Sequence, residues 1–243
     1  MKVLTLDIET SPNLAHVWGL WNQNVSLVQL RDATEMLCFA AKWHDTNQIH
    51  FYSSFRDGRH EMVLAAYEML DQADVVVHYN GTKFDIPHLN REFVELGLTP
   101  PAPYAQVDLL KVVKKNFRFP SNKLDYVASV MLGQQKAKHE GHKLWVDCMA
   151  GDESAWNLME TYNRQDVRIT ELLYDKLVPW MTNHPHLGLY NPSMIDACPQ
   201  CGGDNLIKRG LMYTKLSAFQ RYRCADCGRW MRGAKRVHGV DKR

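Results

Sequence analysis

The sequence predicts an α/β domain followed by a small, separate module bearing paired cysteines. Three observations carry this reading. Extended stretches come first, a short apolar strand flanked by helical patterns comes next, and a basic tail with two Cys-x-x-Cys pairs follows a proline-marked break.

Taken in order, residues 3–8 alternate within an apolar context and predict a first, central strand. Residues 36–43 and 48–53 are extended and joined by the polar turn His44-Asp45-Thr46-Asn47, which predicts a hairpin. Helical periodicity follows over 61–70, with Met62, Ala65, Ala66 and Met69 on one face. Asp74-Val75-Val76-Val77-His78-Tyr79 predicts a short buried strand that ends at Asn80-Gly81. A helix opens near Pro87, where proline suits the first turn, and Thr99-Pro100-Pro101-Ala102-Pro103 closes it. Shorter helical segments cover 107–115 and 122–133, and a long helix runs from 153 to 177, stopping before Pro179. Residues 179–192, with Asn183-His184-Pro185-His186 and Asn191-Pro192, predict a linker. The expected organisation is therefore a domain over 1–178, the linker, and a module over 193–243.

Composition narrows the class. Of the 243 residues, 45% are hydrophobic and 23% charged, values ordinary for a soluble globular protein. Charge interrupts the N-terminus too early for a signal peptide, and no apolar run approaches the ~20 residues that span a bilayer. A soluble, cytoplasmic setting without membrane contact is expected. The net charge of +2 hides a split: residues 198–243 hold 11 basic and 3 acidic side chains, leaving 18 basic and 24 acidic for the rest. A tail at +8 beside a body at −6 points to a polyanionic partner.

The body concentrates informative acids. Asp7 and Glu9 lie two apart on the first strand, so both side chains leave the same face, where burying them without cations is expensive. Asp85 falls between a strand and a helix, at a sheet edge where α/β proteins build sites, although a helix cap would explain it equally. Tyr162 and Asp166 are one turn apart on the long helix, hence neighbours.

In order along the chain, Asp7-Ile8-Glu9, Asn80…Phe84-Asp85 and Tyr162…Asp166 resemble the three motifs of the DEDD (DnaQ-like) 3′-to-5′ exonuclease superfamily, the tyrosine marking its DEDDy branch. Val107-Asp108-Leu109-Leu110 and the stretch from Asn122 to Ala128 are similar to segments between its second and third motifs. The resemblance covers residues 1–178 and implies a ribonuclease H-like mixed five-stranded sheet flanked by helices. It implies that Asp7, Glu9, Asp85 and Asp166 bind two Mg²⁺ or Mn²⁺ ions, hard cations suited to oxygen ligands. One ion would acidify a water and the other stabilise the leaving 3′ oxygen. Tyr162 would orient that water, and Asn80 would contact substrate near the scissile phosphate. Phe84 would pack on a terminal base or sugar, or else in the core. DNA is favoured over RNA as substrate, and a replication or repair protein is a further expected partner. An endonuclease on the same fold and a non-catalytic binding module are the alternatives. Asp108 and Asp125 read as caps or surface acids, and His139 and His142 as solvated surface. Trp18, Trp21, Trp43 and Trp145 read as core rather than base-stacking residues.

Six cysteines are present. Cys38 reads as a buried core thiol, and Cys148 receives no role. Cys198-Pro199-Gln200-Cys201 and Cys224-Ala225-Asp226-Cys227 are each followed by glycine and each place two sulfurs on one side of a tight turn. Four thiolates at this spacing predict a closed tetrahedral structural Zn²⁺ site in a zinc ribbon, with strands over 206–213 and 219–223. Arg221, Arg223 and Trp230 interleave cations with an aromatic, which suits nucleic-acid binding; protein docking is the other use of such a ribbon.

Overall fold

The computed structural model describes residues 1–134, 141–182 and 184–241; His139 and Asn183 lie outside them. Its elements are β1 (Val3–Thr10), β2 (Leu14–Ala15), β3 (Leu30–Asp32), β4 (Met36–Trp43), β5 (Ile49–Ser53), α1 (Arg59–Gln72), β6 (Val75–His78), α2 (Asp85–Glu95), β7 (Ala105–Asp108), α3 (Leu109–Asn116), α4 (Leu124–Leu132), α5 (His142–Met149), α6 (Glu153–Leu177), β8 (Leu206–Tyr213), β9 (Ser217–Cys224) and β10 (Trp230–Gly239).

The main sheet has the order β5-β4-β1-β6-β7. β1 pairs antiparallel with β4 and parallel with β6, so the sheet is mixed and β1 is central. The alternation of β1 decides what each face holds. Leu4, Leu6 and Ile8 enter a core with Met62, Leu70, Leu89 and Phe93. Val3, on the other face, joins a second core with Val113, Val127, Leu173 and Leu177. Fully burying a Leu or Ile stabilises by roughly 1.5–3 kcal/mol, so this register is strongly specified. Asp7 and Glu9 share Val3's parity and therefore face α6. That helix opens on an Asp152 cap, which accepts from Ser154 N at 2.8 Å and Ala155 N at 3.2 Å. It closes into a short 3₁₀ turn, Val178–Trp180, at Pro179.

The expected five-stranded, ribonuclease H-like α/β arrangement is present. Its fifth strand was not read from the sequence: Ala105–Asp108 pairs with β6, and the helix expected from Val107 begins at Leu109. Four residues with a single large apolar side chain, Val107, are too short to show an alternation. α5 was likewise unanticipated, and His142 is its first residue. Trp18 and Trp21 are corrected: they are 99% and 83% exposed on the segment joining β2 to β3, not core. Trp43 and Trp145 are half-buried. Cys38 is fully buried as expected.

The C-terminal module is a three-stranded antiparallel sheet in the order β10-β9-β8. The described residues of the 179–192 stretch pack rather than dangle. Two further 3₁₀ turns form at Leu187–Leu189 and Pro192–Met194, and Leu187 N donates to Pro199 O at 2.8 Å. Gln200 Nε2 donates to Met181 O at 2.6 Å, and the Arg229 guanidinium donates to the carbonyls of Pro179 and Met181, anchoring the module to the end of α6. Among the described residues, no helix is long and apolar enough to cross a membrane.

Candidate active site

β1 and α6 bring three of the four predicted acids together. One carboxylate oxygen each from Asp7, Glu9 and Asp166 lie within 4.8 Å of one another. Asp166 is buried and Asp7 and Glu9 half-buried. Tyr162 and Asp166, at i and i+4, sit on the buried stripe of α6 above Thr170 and Leu173. Burial, then the negative charges of Asp166, Glu9 and Asp7, push the Tyr162 phenol well above its ordinary range. It is therefore a neutral hydroxyl at pH 7. Trp145 of α5 contacts its ring edge-on, with centroids 6.1 Å apart.

Asp85 does not join that set. It is the first residue of α2, nearly fully buried, and its Oδ1 accepts from Ile8 N at 3.1 Å. It thus abuts β1 between the two acids while its carboxylate is turned into the backbone. Burial raises its pKa to about 7, with the Ile8 N–H opposing and the charge of Asp108 adding to the shift. Asp85 is not the cap of its helix; Phe84 occupies that position without a side-chain hydrogen bond. Phe84 is 38% exposed against His88, with centroids 4.8 Å apart, so it is not a core residue.

The loop between β6 and α2 is fixed from below. Asn80 has φ 72°, a left-handed conformation an asparagine tolerates better than most residues. Its N–H donates at 3.0 Å to Asp108 Oδ1, which also caps α3 through Leu110 N. Asp108 is thus a cap, as expected. A Cβ on Gly81 would meet the His78 ring at 2.4 Å, so only glycine lets this loop close over that buried imidazole.

Sequence reasoning missed Asn163. Fully buried on α6, it donates from Nδ2 to Asp7 Oδ2 at 2.7 Å and to Asp7 O at 3.3 Å. Its spacing of three from Asp166 places both on one helix face, and a polar residue on an apolar stripe was the available signal.

The four paired cysteines converge in the module. Cys198 and Cys227 sulfurs are 3.8 Å apart, Cys201 and Cys224 sulfurs 3.7 Å, and all four lie within 4.8 Å. A tetrahedral thiolate centre with bonds of about 2.3 Å has sulfur–sulfur edges of about 3.8 Å, so the geometry fits a metal and exceeds any disulfide. The two turns repeat one design. Gly202 N and Gly228 N each donate at 3.0 Å to the first cysteine's carbonyl, and both glycines have positive φ, 73° and 80°. Trp230 pairs with Arg223, and Arg232 with Arg221, so these four project from one face. Arg221 lies over the Trp230 ring at 4.9 Å and Arg232 over Phe219 at 3.8 Å.

A family model described as the RNase_H superfamily matches residues 5–178, and the chain belongs to that superfamily. It is similar to DNA polymerases of Thermococcus litoralis and Thermococcus aggregans, each 23% identical over 202 residues. The alignments cover 74% of this chain but only 12% and 11% of those proteins. The solved structure of the family B DNA polymerase from the hyperthermophilic archaeon Pyrobaculum calidifontis superposes with a TM-score of 0.57 at 21% identity, over 73% of this chain and 24% of that one. The chain thus spans a small fraction of these relatives, and the last likeness is one of fold.

Proposed function

We propose that this chain is a divalent-metal-dependent 3′-to-5′ exonuclease of the DEDDy type, acting on DNA in preference to RNA. In this reading residues 1–178 hold the chemistry and 193–243 form a Zn²⁺ ribbon that grips substrate. The observation that carries it is the convergence of Asp7, Glu9 and Asp166 to within 4.8 Å. Three hard oxygen donors at that spacing suit Mg²⁺ or Mn²⁺. The similarity to DNA polymerases, proteins that handle nucleic acid, supports a nuclease on this fold.

Bound ions would neutralise the scissile phosphate and acidify the attacking water. Asp7, Glu9 and Asp166 would hold them, with Asp85 completing a two-ion site once its carboxylate turns outward from Ile8 N. Asn163 fixes the rotamer of Asp7. Tyr162, kept neutral by its surroundings, would orient the water rather than take its proton. Asn80 would place the terminal phosphate and the exposed Phe84 would pack on the terminal base. Arg221, Arg223 and Trp230 would hold the strand through its phosphates and bases. A replication or repair protein would be the natural partner of such an enzyme.

The test is digestion of 5′-labelled single-stranded and duplex DNA and RNA with Mg²⁺ or Mn²⁺, with Asp7→Ala as control. The expected result is a metal-dependent ladder shortening from the 3′ end, reduced on the order of 10³-fold or more in the variant. Discrete internal cuts would replace the exonuclease with an endonuclease. Binding without cutting would leave a nucleic-acid-binding module.

A further inference from the structure

The acidic body carries one basic island. From Leu109 to Leu124 there are five cations, Lys111, Lys114, Lys115, Arg118 and Lys123, and no acid. Two of them, Lys111 and Lys115, line a groove of about 480 Å³ together with Thr82, Asn116, Trp180 and Thr182. Asp108 also borders it, but that carboxylate is buried and accepts from the N–H groups of Asn80 and Leu110. Lys111 Nζ stands 4.0 Å from it and is 60% exposed. Trp180 is half-exposed, held edge-on by Phe117 at 5.1 Å.

The groove's two ends matter most. Thr82 belongs to the loop carrying Asn80 and Phe84, which leads directly into Asp85. Trp180, Met181 and Thr182 belong to the segment that the cysteine module clamps through Gln200 and Arg229. The groove therefore runs from the loop that leads into Asp85 to the segment clamped by the basic module. Lys115 Nζ donates to Thr182 Oγ1 at 2.7 Å, and Asn116 Nδ2 to Trp180 O at 3.4 Å, so its two walls are tied across the floor.

We propose that this groove is the track of a single polynucleotide strand: Lys111 and Lys115 bind successive phosphates and Trp180 stacks a base. The proposal rests on the nucleic-acid reading above and extends it to a surface between its two sites. Ammonium groups beside an exposed aromatic are the chemistry of single-strand channels. A groove of this size takes small organic groups, so it has room for nucleotides of one strand and not for a duplex. Carboxylates dominate the rest of the body, so a polyanion would be drawn to this island and repelled around it.

The test measures anisotropy of a labelled single-stranded oligonucleotide of roughly 12 nucleotides, within the usual site size of such channels. Asp7→Ala serves as the parent, without added Mg²⁺ and without chelator, so that nothing is cut and the cysteine centre is undisturbed. Adding Lys111→Gln and Lys115→Gln should weaken binding on the order of tenfold and flatten the slope of log K against log salt by about 1.4, the value for two phosphates on a single strand. Arg at both positions should restore affinity, and Trp180→Ala should weaken binding with the salt slope unchanged. A Gln variant that binds like its parent, with the same slope, overturns the groove while leaving the nuclease reading standing. A parent that binds no polynucleotide overturns both.

Discussion

The two halves of this molecule reach a defined structure by opposite routes. The body buries Leu4, Leu6, Phe39, Met62, Leu89 and Leu173 in layers on both faces of its sheet. Its acids are inserted into a scaffold already secured by apolar contact. The module has almost no such interior: along β10 eight of ten residues are exposed, and the buried side chains of β9 are Ala218 and Cys224. A unit of ~50 residues with so few buried apolar side chains needs a metal or a covalent staple to stand alone. In the body a metal would be a reagent, and in the module it would be the core.

That contrast can be broken most directly at a cysteine. Cys224→Ser would remove one of the four ligands proposed above for Zn²⁺, a metal worth about 10–16 kcal/mol to small zinc domains. The expected outcome is loss of bound Zn²⁺ and rapid proteolysis beyond residue 197, with the body intact and its melting transition little changed. If the module resists protease without metal, its strands and the Gln200 and Arg229 anchors suffice and the comparison fails.

Asp85 sharpens the other side, because a body held by its core can tolerate a badly solvated acid. Its proton leaves near pH 3.8 in the unfolded chain and near pH 7 in the folded one. Stability therefore falls as pH rises between those values, by up to roughly 4 kcal/mol, and the penalty is complete above 7. Asp85→Asn should raise the melting temperature of the metal-free protein at pH 8 and leave it unchanged at pH 3.5. Equal effects at both pH values would locate the cost elsewhere. The same substitution should suppress cleavage, as expected of a group kept for function at the expense of stability.

Legibility followed the same division. β4 and α6 fall at the expected boundaries, because β4 is a continuous apolar run closed by a polar turn and α6 is long, periodic and capped. The cysteine turns were readable because sulfur spacing and the following glycines specify local geometry. β7 was not, since four residues show no period. Trp18 and Trp21 defeated the expectation that tryptophans go inside: the 25 residues between β1 and β4 form the small β2–β3 ladder and one 3₁₀ turn, Leu27–Gln29, with no buried layer to cover them. In the site, parity along β1 put Asp7 and Glu9 on one face and helical spacing put Tyr162 beside Asp166; that the two pairs meet was what the family resemblance implied, not what the spacing showed. The inward turn of Asp85 toward Ile8 N was not foreseeable, because it depends on how α2 seats against β1, a tertiary contact with no sequence period.

Asn163 is the smallest test and the one that separates holding the fold from holding the site. Its amide is buried between α6 and β1 and donates to both the side chain and the carbonyl of Asp7, while its Oδ1 has no partner among the described residues. Asparagine with an unmet acceptor is a poor choice for packing alone, which argues that the hydrogen bond to Asp7 is what keeps it there. Asn163→Ala should cost about 1.5–3 kcal/mol of stability, the contribution of a buried hydrogen bond to a charged group. The larger consequence lies in the metal dependence. With Asp7 free to rotate, the Mg²⁺ concentration for half-maximal activity should rise roughly tenfold, as when an outer partner of a metal ligand is lost. Substrate KM should not move, because Asn163 touches no predicted substrate group. A fall in melting temperature with an unshifted Mg²⁺ midpoint would make Asn163 a packing residue, and the acidic cluster would then be held by β1 and α6 alone.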